Sequence, residues 1–470
     1  MAERQVAMHR KIERQLAYWV EKTRLMRQRL QQHGFEVHFV GGCVRDACLG
    51  VQAKDADMTT NALPDQMKEV LADFKLLETG LRHGTLSVFC EDCPVEITTY
   101  RVEKEYADHR HPDGVSFTSS LAEDLARRDF TVNAMAWSPE TGLTDIFGGI
   151  RDLEAGIIRC VGNAQKRFFE DALRMLRALR FASVLDFTLD EEVCQALRES
   201  REELRFVSAE RVLTELNGLL CGKAAARVMT EYTDVVGVWL PELLAMKGFE
   251  QHNPHHRFDV LTHCLKAVEQ VPAQPVLRWA ALLHDCGKPL TFSVDEAGVG
   301  HFYGHEKAGG AAAEAVFTRL KSSKTLRRSV CDLIQWHGRP CPEDPKGVGR
   351  MLNRLGEKSF FDLMCLKRAD CLAQGTDVAA RCACIKRAEE TARELLAKQA
   401  CFSLRQLAVD GRDLLALGVE EGPGMGALLE ALLEQVEKGE LPNEKEALLA
   451  RARLSLKPDP PKEKNSSFLT

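Results

Sequence analysis

The chain predicts a mixed α+β protein: an N-terminal α/β head on a mixed sheet, followed by an all-α neck, body and tail. Three observations carry this. "GFEVHFVGGCVRD" reads as a strand entering a glycine turn that opens a helix near Val44. Short strand-like runs bounded by turn residues fill about the first 150 residues. From about Asn163 onward the apolar spacing is helical almost to the end, broken by "QHNPHHR", "SVDEAGVGHFYG" and "LPNEKE".

Element by element, residues 5–33 carry a helical pattern, and the strand before the glycines follows. Further strands are expected at about 56–60, 85–90, 94–101 and 144–147, with a helix at "LPDQMKEVLADF". The polar stretch "RVEKEYADHRHPDGVSFTSS" reads as a mobile loop around Arg110, Pro112 and Gly114. The resulting division is a head with its N-terminal helix at 1–160, a neck at 161–230, a helical body at 231–400 and a helical tail at 401–456. The end, 457–470, is rich in Pro, Lys and Ser and is expected to be disordered. No internal repeat or long low-complexity tract is present.

At 470 residues, 45% hydrophobic and 28% charged, the composition is that of an ordinary soluble chain of two to four domains. No apolar run approaches the roughly 20 residues that span a bilayer, and the charged start is unlike a secretory signal, so a cytoplasmic location with no membrane partner is expected. The 16 cysteines are scattered, many in helical patterns, as suits small buried hydrophobes in a reducing compartment, and no disulfide framework is expected. Cys90 and Cys93 form a CxxC, but no second one completes a zinc set and the pair reads as a hairpin end. A net charge of -6 and a pI near 6.2 exclude a global basic field. A nucleic-acid partner would need local patches, and Lys166–Arg180 and Arg319–Arg328 are the two candidates; the second reads as a solvated helix face.

The chemistry-bearing pattern begins at "KDADMTT". On a strand, Asp55 and Asp57 would share one face, and two adjacent carboxylates need a cation, a shared proton or a metal. An acidic turn is the alternative. Gly41 and Gly42 permit close backbone approach at a helix N-terminus, and Arg45 can take a phosphate oxygen. Glu96, in line with Thr98 and Tyr100 on one strand face, is the candidate third carboxylate of a two-metal site. "RRDFTVNAMA" offers Arg127, Arg128, Asp129 and Asn133 in a helix-like stretch for phosphate neutralisation. Asp171, Arg174 and Arg177 at i, i+3 and i+6 lie along one side of a helix, as a base-reading stripe or as a surface ion pair.

"GGCVRD", "DADMTTNALP", "VEITTYR", "RRDFTVNAMA", "EDALRMLRALRFA" and "SAERVLTEL" resemble, in order and wording, the bacterial class II tRNA nucleotidyltransferases of the DNA polymerase β superfamily, the CCA-adding enzymes, over about residues 35–225. The resemblance implies Mg²⁺ held by Asp55 and Asp57, and a triphosphate and ribose held by Gly41, Gly42, Arg45, Arg128, Asp129 and Asn133. It also implies a template of Glu170, Asp171 and Arg174 pairing with CTP and then ATP, and a tRNA acceptor end, not DNA, as partner. Poly(A) polymerases and A-adding enzymes share nearly all these motifs. Met58 stands where the family usually has a smaller aliphatic residue.

Further on, His263, the adjacent His284-Asp285 and Asp370 lie in separate helical segments, with His305 and His337 between. His and carboxylate ligands from several helices can converge on a divalent metal. Over about residues 250–375 the pattern resembles the HD-domain metal phosphohydrolases, which implies a divalent metal of unspecified identity and hydrolysis of phosphoesters or cyclic phosphates. An HD phosphohydrolase carrying an inactive head is the remaining alternative.

Overall fold

The computed structural model describes residues 2–103, 115–252, 257–374, 378–397, 404, 406–437 and 440–455. Two compact units emerge, residues 1–253 with 258–331, and residues 254–257 with 332–470, and each is described by itself. The centre of the expected loop, with Arg110, Pro112 and Gly114, and the terminal 457–470 lie outside the described residues.

In the first unit, α1 (Ala2–Lys22) buries Ile12, Leu16 and Trp19, an i, i+4, i+7 stripe. The helical pattern over 5–33 is split at Thr23, whose hydroxyl donates to Trp19 O at 2.7 Å, and α2 (Arg24–Gln32) starts after it. A threonine bonding back to its own preceding turn commonly bends a helix there. Then come β1 (Val37–Val40), α3 (Gly42–Leu49), β2 (Asp57–Thr60), α4 (Pro64–Val70), β3 (Lys75–Gly80), β4 (Thr85–Cys90), β5 (Cys93–Thr99), β6 (Arg101–Glu103), β7 (Val115–Phe117), α5 (Leu121–Ala126), β8 (Ala136–Ser138) and β9 (Gly142–Thr144).

Seven strands form one sheet in the order β3-β4-β5-β2-β1-β8-β9. Only β2 and β5 run parallel and the other neighbours are antiparallel, so the sheet is mixed, as the sequence predicts. Cys90 and Cys93 face each other across the hairpin, with Glu91 at φ 57° in its turn. Two strands of this sheet were not legible. β8 falls in the run Ala134–Ser138, which is buried on both faces and so lacks alternation, and β3 is an edge strand paired only to β4.

Helices follow. α6 (Gly149–Ala155) leads to β10 (Ile157–Ile158), which pairs in parallel with β11 (Thr188–Leu189), and between these strands lie α7 (Ala164–Glu170) and α8 (Leu173–Leu185). α9 (Glu191–Ser200) precedes α10 (Ala209–Leu220), which packs on α8. The series continues with α11 (Ala225–Glu231), α12 (Thr233–Val236), α13 (Pro241–Met246), α14 (Val260–Gln270), α15 (Pro275–Leu283) and α16 (Lys288–Thr291). A short hairpin of β12 (Ser293–Val294) and β13 (Gly300–His301) precedes α17 (His305–Arg319), and α18 (Lys324–His337) begins in this unit.

The second unit holds α19 (Pro345–Leu355), α20 (Glu357–Ala373) and α21 (Ala379–Ala397), each packed on the other two. α22 (Gly411–Ala416), α23 (Pro423–Glu437) and α24 (Lys445–Ser455) close over a core of Leu407, Val409, Leu414, Leu432, Leu448 and Ala452.

Candidate active site

Asp57 is the first residue of β2 and lies in register with Glu96 of the parallel neighbour β5. Paired residues on adjacent strands point to the same face, so these two carboxylates stand side by side. Asp55 is not on the strand: residues 54 and 55 form a bend before it. The backbone enters the sheet only at Asp57, and Asp55, in the bend, is near enough for its charge to act on the Asp57 carboxyl. The consequence is electrostatic. Partial burial, then the charges of Asp55 and Glu96, push the Asp57 carboxyl up to about 6, with Arg128 pulling the other way. Below these acids Met58 is buried in the sheet, so the larger side chain has room. Tyr100 departs from the expected face. β5 ends at Thr99, and the Tyr100 ring turns fully inward, its hydroxyl 2.9 Å from His38 Nδ1.

The glycine turn brings cations to this edge. Gly41, at φ 77°, caps α3, and a Cβ there would meet Arg128 Nη1 at 3.2 Å. Arg45, on α3, donates to Asn133 Oδ1 at 2.8 Å and to Asp46 Oδ1 at 2.8 Å, and its guanidinium lies 5.1 Å from the Phe181 ring centroid. Asn133 sits in a 3₁₀ turn, Thr131–Asn133, before β8, and not in an α-helix. Arg127 and Arg128 both lean on Asp124, a fully buried acid that also accepts from Thr59 Oγ1 of β2. Arg128 Nε is buried without a hydrogen-bond partner. Asp129 accepts from Phe130 N and Asn133 Nδ2 and pairs with Arg177 at 2.6 Å. Burial alone would raise the Asp129 carboxyl, but Arg177 first, then Arg174 and Asn133, hold it below the ordinary value.

The stripe of Asp171, Arg174 and Arg177 is not on one helix. Asp171 is extended at φ -146°, ψ 104°, which ends α7, and α8 restarts at Leu173, whose N–H donates to Asp171 Oδ1 at 3.0 Å. Asp171 and Arg174 therefore do not form the i,i+3 pair. Asp171 Oδ2 accepts from Arg211 at 2.7 Å, and Arg174 Nη1 donates to Glu170 Oε2 at 2.6 Å. Arg180 binds Glu215 at 2.5 Å and stacks over Phe181 at 4.1 Å, which also carries Arg177 at 5.5 Å. Sequence reasoning missed Asp124, Phe181, Arg211 and Glu215. Only Asp124 had a local signal, standing four residues before Arg128 on a helical pattern.

A second cluster lies in the same unit. His263 of α14, and His284 and Asp285 just after α15, bring one ligand atom each within 4.8 Å of one another. All three are buried. His263 Nε2 and His284 Nε2 are 3.2 Å apart, and each is within 3.5 Å of Asp285 Oδ2. His284 Nδ1 faces Ala281 O at 2.9 Å, which turns its Nε2 into the cluster. His305, at the start of α17, stands 3.5 Å from Asp285 Oδ1 through Nε2, with Nδ1 on Phe302 O. Lys288 was not anticipated: its buried Nζ is 2.7 Å from Asp285 Oδ2 and 2.8 Å from Gln251 Oε1. Asp370 and His337 belong to the second unit. There Gln374 Nε2 donates to Asp370 at 3.4 Å, and His337 Nδ1 lies 2.6 Å from Ile334 O. The Arg319–Arg328 patch is in part internally paired, Arg319 with Glu242 at 2.7 Å and Arg327 with Glu314 at 3.2 Å.

Residues 37–159 match the family model of the poly A polymerase head domain, 186–245 the probable RNA and SrmB-binding site of polymerase A, and 305–452 a putative tRNA nucleotidyltransferase domain 2. The CCA-adding enzyme of Levilactobacillus brevis is 35% identical over 92% of this chain and 96% of its own length. The chain belongs to the CCA-adding enzyme family. The CCA-adding enzyme of Lactobacillus helveticus is 32% identical over 90% of this chain and 94% of its own. Among solved structures, the Bacillus stearothermophilus CCA-adding enzyme in complex with CTP aligns with a TM-score of 0.66 and 28% identity, covering 93% of this chain and 97% of that one. The Thermotoga maritima CCA-adding enzyme complexed with tRNA shares the fold, at a TM-score of 0.54 and 20% identity over 95% of this chain and 99% of that one. The CCA-adding enzyme fold thus spans both units of the chain. Among the described residues no helix is long and apolar enough to cross a membrane.

Proposed function

We propose that this member of the CCA-adding enzyme family transfers CMP, CMP and AMP from CTP and ATP to the 3′ end of tRNA, with release of pyrophosphate, using divalent cations held by Asp55 and Asp57. The observation that carries the reading is the Asp57–Glu96 register with Asp55 beside it. Asp57 and Glu96 stand in register, Asp55 is near enough for its charge to act on Asp57, and the crowding that raises the Asp57 carboxyl is what a divalent cation would relieve, so the hard oxygen donors of these acids suit Mg²⁺. Bound there, the cations would supply Lewis-acid activation of the primer hydroxyl and of the α-phosphate.

The chain's own residues do the rest. The Gly41 turn brings backbone N–H groups of α3 to the triphosphate, with Gly42 leaving the approach open. Arg128, braced by Asp124, and Arg45, braced by Asn133 and Phe181, offer guanidinium groups to phosphate and ribose. Asp129 orients Asn133 and Arg177. Asp171 and Arg174 exchange their partners Arg211 and Glu170 for the Watson–Crick edge of the incoming base, the acid accepting from an exocyclic amine and the guanidinium donating. In this reading 1–160 is the catalytic head and 161–230 the neck. Incorporation onto tRNAs ending before CCA, after one C and after CC, with CTP and ATP singly and together, tests it. Addition limited to CCA is expected. A alone on the CC end would make the protein an A-adding enzyme, and long A tracts a poly(A) polymerase.

A second reading rests on the histidine cluster. Two imidazole Nε2 atoms 3.2 Å apart beside a buried carboxylate form a site for a divalent cation, and His305 adds a further nitrogen. An HD-type phosphohydrolase acting on cyclic phosphates or damaged RNA ends fits this donor set. Metal content after dialysis, together with hydrolysis of a 2′,3′-cyclic nucleotide, checks it: the double substitution His284→Ala, Asp285→Ala should lose both. Unchanged hydrolysis by that variant removes the reading.

A further inference from the structure

The hairpin of β12 and β13 leads into the histidine cluster and presents an aromatic pair that nucleotide transfer does not use. β13 ends at His301, and the side chains alternate from there. Phe302 turns toward the protein: its ring centroid is 5.5 Å from that of Phe292, and the Lys288 ammonium, itself 2.7 Å from Asp285 Oδ2, lies 5.3 Å from it. His301 and Tyr303 stack on each other, with ring centroids 5.3 Å apart and planes within 7°. The imidazole is braced. Its Nε2 meets Asp295 Oδ2 at 2.8 Å, and Asp295 Oδ1 accepts from Ala297 N and Val299 N in the hairpin turn at 2.9 Å each. Tyr303 is nonetheless 79% exposed, the most exposed large apolar side chain among the described residues. A ring held on a fixed backing, with its outer face in water, loses little freedom when another ring stacks on it.

We propose that Tyr303, backed by His301, is a stacking platform for a nucleobase whose phosphate lies at the histidine cluster, so that the cluster takes nucleoside phosphates and RNA ends in preference to phosphoesters without a base. The inference rests on the phosphohydrolase reading of that cluster. Gly304, at φ 76°, turns the chain after Tyr303, and His305 opens α17 with its Nε2 3.5 Å from Asp285 Oδ1. Two residues of chain reach at most about 7 Å, so the backbone that carries the platform carries a cluster nitrogen within a reach of about one or two nucleotides. A flat exposed ring suits any base, since every base has a π-face, and it gives no hold on a phosphoester that lacks one.

The test titrates the full-length protein into 2-aminopurine riboside 2′,3′-cyclic phosphate, whose fluorescence is quenched when its base stacks, with excess CTP present to occupy the head. Wild type and Tyr303→Phe should quench the probe alike, and Tyr303→Ala should bind it about 5- to 150-fold more weakly. In hydrolysis assays the same Ala variant should raise KM for the cyclic nucleotide while leaving kcat, and turnover of the baseless methyl riboside 2′,3′-cyclic phosphate, as in wild type. Equal quenching by wild type and Tyr303→Ala, or no quenching by wild type, would overturn the proposal. If neither compound is hydrolysed by wild type but quenching depends on Tyr303, the platform stands and the phosphohydrolase reading falls. Tyr303 is a surface side chain, so its replacement leaves the fold intact, and melting temperatures of the variants check this.

Discussion

At the scale of single residues, the account turns on Asp57. Its carboxyl is raised because burial and two neighbouring acids disfavour its charge. A group whose folded pKa is raised contributes stability below its unfolded value, about 3.9, and loses that contribution as pH rises through about 6. Metal-free Asp57→Asn should therefore melt higher than wild type at pH 8, with the gap closing toward pH 4.5; scanning calorimetry with a chelator present checks this, and a lower melting temperature at pH 8 would contradict it. The same variant should lose about 10²–10³-fold or more of its transfer rate. The acids, arginines and histidines were legible as types and spacings. Their pairing was not. Asp171 and Arg174 read as partners three apart, yet one extended residue sends Asp171 to Arg211 and leaves Arg174 with Glu170. No local pattern could have supplied Arg211, 40 residues away.

At the scale of elements, two joints matter. The first is the strand, glycine turn and helix of β1, Gly41 and α3. Gly41 has a left-handed φ of 77°, and a Cβ would press Arg128 Nη1 at 3.2 Å. Gly41→Ala should cost about 1–2 kcal/mol of stability and raise KM for the nucleotide by displacing Arg128; urea unfolding and steady-state kinetics read the two effects separately. The second joint ties α8 to the 3₁₀ turn through Arg177 and Asp129. Arg177→Met leaves a buried carboxylate without its main partner. Because Arg177 keeps about a third of its side chain exposed, the expected loss is about 1–3 kcal/mol near pH 7, below that of a fully buried pair. Asp129 is held low, so this contribution is present above about pH 3.9 and fades as pH falls below it; a variant whose deficit persisted unchanged at pH 3 would contradict the assignment. The glycine joint was read correctly from sequence because φ freedom and close approach need glycine. β8 was not, because a strand buried on both faces carries no alternation.

At the scale of the whole molecule, the division into a mixed-sheet head and a helical remainder was legible because apolar period changes from two to about 3.6 near Asn163. The order of strands in the sheet was not, since it depends on long-range pairing such as Phe39 with Trp137. The sheet order matters to function, because placing β5 beside β2 is what sets Glu96 against Asp57. The head and the histidine cluster lie in one compact unit but share no ligand, so their chemistries should separate. His284→Ala is expected to keep nucleotide transfer within about twofold while losing cluster metal, because the two sites share no residue. Radiolabelled CTP incorporation and elemental analysis report the two. The most direct test of the central claim is a single experiment: first-C addition to a tRNA lacking CCA by wild type and Asp57→Asn, both confirmed folded, across a Mg²⁺ titration. Wild type is expected to show Mg²⁺-dependent addition, and the variant a rate at least about 10²–10³-fold lower at every Mg²⁺ concentration. Comparable addition by both proteins would contradict it.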